Sequence, residues 1–376
     1  MNFLYMKVAS TLSSNVRRFM LPLAVYQVSG SASYAAVTTS FDWLSKIITY
    51  SIISNKIDMA PRKIANLVIL LGVLSALLLP VVKNINVILL CACAISVVSA
   101  TTGIYLDKIV ISSKGNDLFK INAKFHTIEQ SIQLLAPVIS AFLLSLDVFL
   151  SLLTLSILVI IQSLYIFMGC KALPDRMEIE SSFKKMLHHF FECCDNLNFK
   201  CLMVFSVLLN ATVGGIISLM PALLEGKYLL GFSAYGFCFT LSSIFVIIFI
   251  MGLQKNIIKI NSCIKWLRLV LLCAMLLVFS MDVFLFALGF SLINVMVAFV
   301  SIYFRTVRMR EINNDLYSGV SGIVTIFLLF PAALSSLIVA ALTTKLSFLS
   351  VLVILFIVSS PIFFIKLVKD VNVNAY

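Results

Sequence analysis

Residues Ile85 to Leu106 run INVILLCACAISVVSATTGIYL. This stretch contains no Asp, Glu, Lys or Arg, and it is bounded by Lys83 on one side and by Asp107 and Lys108 on the other. A helix needs about 20 predominantly apolar residues to cross the hydrocarbon core of a bilayer. Backbone groups in lipid must find their partners within the segment itself, so a run of this length and composition is a helix rather than a strand. The pattern recurs on both sides of it. Twelve spans are expected, at about 3–28, 33–54, 64–82, 85–106, 121–145, 148–169, 200–223, 229–252, 266–281, 283–304, 317–342 and 346–367, with only Asp282 separating the ninth clearly from the tenth.

Composition points the same way. The chain has 376 residues, is 61% hydrophobic and only 12% charged, and has a mean hydropathy of +1.09. Soluble domains carry about 25% charged residues. The first apolar stretch simply continues as a helix, with no small-residue cleavage site of a signal peptide. Of the nine cysteines, Cys91, Cys93, Cys238 and Cys273 fall inside apolar runs, where cysteine behaves as a small hydrophobe; no disulfide framework is apparent.

The net charge of +12 would suggest acidic or nucleic-acid partners in a soluble protein. Here its placement gives another account. Twenty-one of the 28 Lys and Arg lie in the even-numbered connections and the C-terminal tail, against Lys83, Lys227 and Lys345 on the opposite side. By the positive-inside rule both termini are expected in the cytoplasm, and no nucleic-acid partner is expected. Residues 171–199 form one longer, mixed-charge connection with an amphipathic stretch from Ser182 to Asn196. Three parts follow: a six-helix bundle at 1–170, a cytoplasmic linker at 171–199 and a second six-helix bundle at 200–376. A weak internal repeat agrees with the division. Ile104-Tyr105 precedes Asn116-Asp117-Leu118, and Ile302-Tyr303 precedes Asn314-Asp315-Leu316, each ahead of a helix containing a proline, Pro137 or Pro331.

Charges inside the spans are the candidate functional groups, because a charge at mid-membrane costs about 2.5–3.5 kcal/mol on insertion scales and usually has a partner or a role. Arg17 and Arg18 lie in the first span, Asp42 and Lys46 in the second, His126 and Glu129 in the fifth. Asp42 and Lys46 are four residues apart and His126 and Glu129 three, so each pair shares a helix face. Asp42 and Lys46 either neutralise one another or serve separately, Asp42 exchanging a proton and Lys46 touching substrate. Arg17 and Arg18 are about 100° apart around the helix. One is expected to line a cavity while the other pairs with an acid or snorkels. Arginine presents a fixed fork of donors that suits carboxylate or phosphate, which makes an anionic or chelating substrate a hypothesis. In the linker, His189 and Cys193 are one helical turn apart, but no second ligand pair accompanies them and no metal or cofactor is expected. No nucleotide-binding loop, zinc-protease helix motif or serine-hydrolase elbow is present, so no enzyme is expected.

The loop Ser54-Asn55-Lys56-Ile57-Asp58-Met59-Ala60-Pro61-Arg62-Lys63 resembles the signature loop between helices two and three of the major facilitator superfamily, G-x-x-x-D-R-x-G-R-K/R. Asp58, Arg62 and Lys63 match its acidic and basic positions, while Ser54, Met59 and Pro61 depart from it. The run Leu21 to Gln27 with Gly30-Ser31, the positions Asn122, Glu129-Gln130 and Ala136-Pro137, and Arg305, Arg308 and Asp315 to Gly319 are similar to a branch of that family exporting drugs and siderophores. The resemblance implies two six-helix bundles around a central cavity, a cytoplasmic gate at Asp58, Arg62 and Lys63, and a flexing fifth helix at Pro137. It further implies a monomer in a bacterial inner membrane, exporting a small amphipathic molecule by proton antiport. Two other readings stand beside export: uptake of a nutrient or metal chelate, and a non-transporting receptor or assembly subunit.

Overall fold

The computed structural model describes residues 3–29, 32–82, 84–112, 118–170, 183–226, 231–280, 282–313, 316–342 and 348–363. Helices fill this length: α1 (Phe3–Ser29), α2 (Ala32–Met59), α3 (Pro61–Leu78), α4 (Ile85–Ser112), α5 (Leu118–Leu146), α6 (Val148–Cys170), α7 (Phe183–Asp195), α8 (Leu197–Gly226), α9 (Gly231–Gln254), α10 (Ile260–Val278), α11 (Val283–Glu311), α12 (Tyr317–Leu342) and α13 (Phe348–Ser359), the last running into a 3₁₀ turn at Ser360–Phe363. Among the described residues there is no strand. Seven helices, α3, α4, α6, α8, α9, α11 and α12, are long and apolar enough to cross a bilayer by composition alone. Helices α1, α2 and α5 are not among them; they hold the intramembrane charges singled out above.

Local chemistry fixes where the helices begin. Asn84, Asn196 and Asp282 each turn a side-chain oxygen onto a free amide of the first turn, of Asn86 (2.9 Å), Asn198 (3.0 Å) and Phe284 (2.9 Å) respectively. Such caps satisfy donors that the helix itself leaves unpaired. Pro61 opens α3 at a position where a missing amide hydrogen costs nothing. Helix α10 starts at Ile260, six residues ahead of the expected 266, and carries Lys265 and Arg268 on its body. Long basic side chains reach past the apolar zone while their backbone stays helical, so a charge does not mark the helix end.

The chain divides into two compact units. The first comprises Met1–Asn116, Leu135–Phe190 and Ile312–Ile326; the second comprises Asp117–Leu134, Phe191–Glu311 and Phe327–Tyr376. Helices α5 and α12 are thus each divided, just before Pro137 and Pro331. The core of the first unit gathers Val16, Met20 and Ala24 of α1, Ile88, Ala92 and Ile95 of α4, Ala136 of α5 and Leu155 and Val159 of α6. Ser140 of α5 donates to the Val16 carbonyl at 3.4 Å and ties α5 to α1. In the second unit two clusters are dense in rings, with Phe239 and Phe290 edge to face at 5.3 Å and Phe279 and Phe356 at 5.7 Å. Small residues bring backbones together there. A side-chain carbon on Gly214 would lie 2.6 Å from the Ala332 carbonyl oxygen, and one on Gly289 would lie 2.6 Å from that of Ala274. Close approach of this kind replaces the hydrophobic drive that lipid removes.

The amphipathic linker stretch is helix α7, and one face of it is docked rather than solvated. Met186, Phe190 and Cys193 are buried. His189 Nε2 accepts a hydrogen bond from the Asn313 amide at 3.1 Å. Burial pushes the Cys193 thiol up to about 11. The described residues contain no grouping of ligands able to hold a metal ion.

Candidate substrate site

Arg17 sits fourteen residues into α1, about 21 Å along a helix of about 40 Å, so it lies near mid-span. It is 2% exposed. Its Nη1 donates to Asp42 Oδ1 of α2 at 2.5 Å and to the Ser96 hydroxyl of α4. Ser96 in turn donates to Asp42 Oδ1 at 2.7 Å. The second oxygen, Oδ2, accepts from Lys46 Nζ at 2.8 Å, one turn along α2, and the same ammonium stands 5.2 Å from the centre of the Trp43 ring. Three side chains from three helices therefore converge on one carboxylate. Arrangements with every oxygen bonded are what a charge needs to persist in a low-dielectric interior.

Beside this cluster lies a pocket lined by Arg17, Arg18, Leu21, Pro22, Thr38, Asp42, Trp43 and Ala92. The space there is about 330 Å³ with its open mouth counted. Both arginines border it. Adjacent helical positions diverge by about 100° at the backbone, but arginine is long enough to bring two head groups back to one space. Arg17 is the one that pairs with an acid, Asp42, and it borders the pocket as well. Arg18 makes no ion pair among the described residues, and the Nε and Nη2 of Arg17 are buried without a hydrogen-bond partner.

A polar seam runs from the cluster towards the start of α1. Ser13 and Ser10 follow Arg17 back along α1, and Ser99 and Thr102 follow Ser96 along α4, all buried. Gln162 of α6 donates to Thr102 Oγ1 at 2.8 Å and to Ser10 Oγ at 3.4 Å. The hydroxyls of Ser13 and Ser99 and the side-chain carbonyl of Gln162 have no partner among the described residues. Buried groups in this condition are the places where proteins hold internal water.

The remaining candidates lie elsewhere. His126 Nδ1 is 3.1 Å from Glu129 Oε2, and this pair belongs to the second unit, where Asn122 of the same half-helix donates to Thr306 at 3.2 Å. Glu129 is one-third exposed. Arg62 is half-buried and Lys63 exposed at the start of α3, where Tyr105 donates to the Pro61 carbonyl. The side chains of Asp58 and Pro137 lie outside the described residues, although helix α5 runs unbroken through position 137. Three contributors to the cluster and its pocket were not singled out in the sequence: Ser96, Thr38 and Trp43. Away from them, Asp107, a lone acid among basic residues at the end of a span, is buried and accepts from Tyr317 at 3.4 Å.

Comparison with known proteins places the fold. Across 97% of each chain the structure is similar to the human organic anion transporter MFSD10 (TETRAN), with a TM-score of 0.77 and 14% identity. It is similar over the same share to a bacterial homologue of the iron transporter ferroportin in its outward-facing state, with a TM-score of 0.73 and 14% identity. No protein-family model and no curated protein matches the sequence. The chain is an all-α, multi-pass membrane protein with the major facilitator fold, twelve transmembrane helices in two six-helix bundles.

Proposed function

We propose that this protein is a secondary active transporter that exports a small amphipathic molecule by proton antiport, with the Arg17–Asp42–Lys46–Ser96 cluster and its pocket as the substrate site. The observation that carries the reading is the convergence of four polar side chains at mid-span beside a pocket with a half-apolar wall. Buried charge within a span is costly and is retained where it serves a path or a ligand. The two similar structures are by their titles an organic anion transporter and a bacterial homologue of the iron transporter ferroportin, which supports transport as the common activity of this fold.

In this reading Glu129 carries the exchanged proton. Its carboxylate is one-third exposed and has His126 beside it to relay, whereas both oxygens of Asp42 are engaged by cations. The chain spans a bacterial inner membrane with both termini in the cytoplasm, works as a monomer, and consists of bundles at 1–170 and 200–376 joined by 171–199. The bundles rock about a mid-membrane site. Asp58, Arg62 and Lys63 latch the cytoplasmic side, and Pro137, which removes a hydrogen bond from α5, lets that helix flex.

Untargeted mass spectrometry of medium and cells, with and without the protein and with and without a protonophore, tests this. A compound enriched in the medium only when the protein is present and the proton gradient intact is the expected result. Enrichment inside the cells would reverse the direction in favour of uptake. Unchanged extrusion after collapse of the gradient would remove proton coupling.

A further inference from the structure

Arg17 uses only part of its guanidinium on the protein. Nη1 is committed to Asp42 and Ser96, while Nε and Nη2 are buried and unpartnered. These two nitrogens form the side edge of the fork, whose parallel hydrogens match the two oxygens of a carboxylate. The edge belongs to a side chain that is 2% exposed and that lines the pocket. A donor pair held dry and unused in an otherwise satisfied cluster is a built half of a bidentate contact.

From this edge we infer that the pocket seats the carboxylate of a small amphipathic acid, an assignment that rests on the transport reading and names its substrate class. Arg17 holds both carboxylate oxygens through Nε and Nη2. Arg18, on the same wall, offsets the incoming charge. Trp43 and Leu21 take the apolar body. Asp42 is a positioning residue: by occupying Nη1 it leaves the Nε–Nη2 edge for the carboxylate. A phosphate fits less well, because two donors would leave further oxygens against Leu21, Pro22 and Ala92. Lys46, bonded to Asp42, keeps the cluster cationic overall and disfavours cationic ligands.

Trp43 supplies a direct readout, since the chain has two tryptophans and the other is Trp266. In full-length protein carrying Trp266→Phe, in nanodiscs, Trp43 fluorescence is titrated with cyclohexanecarboxylate, cyclohexanecarboxamide and cyclohexyl phosphate. The carboxylate is expected to saturate the signal and to bind roughly 10- to 100-fold more tightly than the amide, the worth of a charge-assisted hydrogen bond. Arg17→Lys, which keeps the charge and loses the fork, is expected to weaken it about tenfold or more. Arg18→Gln, which leaves the Asp42 cluster intact, keeps the test open if Arg17 variants fail to fold, and is expected to weaken the carboxylate while leaving the amide unchanged. Equal binding of amide and carboxylate, tighter binding of the phosphate, no response from Trp43, or indifference to both variants would overturn the assignment. Flux of the bound acid is then measured in proteoliposomes. Carboxylate binding without flux in either direction would retain the seat and overturn transport, whereas flux indifferent to Arg17 would retain transport and overturn the seat.

Discussion

The interiors of the two units differ in kind. In the first, a carboxylate at mid-span is bound by an arginine, a lysine and a serine, and hydroxyls and an amide continue from it along the α1–α4 seam. In the second, the membrane-level core is built from phenylalanines and aliphatic residues, and its own small pocket is lined by Ile216, Met275, Val278, Phe279, Leu355 and Phe356 with Thr212 alone as a polar member. The difference teaches that one fold can hold two kinds of interior: one of dry, directed charge, and one of shape with no desolvation cost.

Substitutions break the comparison in graded steps. Asp42→Asn should have the largest effect, about 3–5 kcal/mol of lost stability, because it leaves Arg17 and Lys46 buried without their shared counter-charge. Reversible unfolding in mixed micelles measures it, and adding Lys46→Gln should recover part of the loss. An unchanged midpoint for Asp42→Asn would mean that the cluster holds no stabilising charge. Ser96→Ala removes a hydroxyl shared by Arg17 and Asp42 and should cost about 1.5–3 kcal/mol in the same assay. In the second unit the largest effect should come from shape. Gly214→Val pushes against the Ala332 backbone, which cannot yield as a side chain would, and should cost about 1–3 kcal/mol. Ser291→Ala should be nearly silent, about 0.6 kcal/mol or less, since that hydroxyl donates to the Ala287 carbonyl of its own helix at 2.7 Å. A Ser291 variant as damaging as the Ser96 variant would erase the distinction between the units.

Much of the fold was legible because lipid leaves few alternatives. Span length, the helical course through Arg17 and Arg18, and the amphipathic helix before Asn196 all follow from local composition. The pairing of Asp42 with Lys46 and of His126 with Glu129 follows from helical spacing. What stayed hidden depends on which helices meet. Ser96 is one of several serines in α4 and becomes special only where α1 and α2 reach it. Thr38 and Trp43 gain meaning only as walls of a pocket. That Arg18 borders the same pocket as Arg17 depends on side-chain reach, which helical angles ignore. The docked face of α7 needed the loop at Asn313 to be in place.

The unequal charge around Asp42 has an electrical consequence. Arg17, Arg18 and Lys46 stand against a single acid, leaving two formal positive charges uncompensated around the cluster. An elementary charge crossing the full membrane field is worth about 2.3 kcal/mol per 100 mV. In alternating access the site stays near the midplane while the voltage drop passes from one side of it to the other. On the proposed transport reading, a negative cell interior therefore draws the unloaded, cationic protein towards an inward-open orientation and acts less on it once an anion has bound. On that reading voltage, rather than binding, should set the pace of the unloaded return, and currents measured without substrate test it.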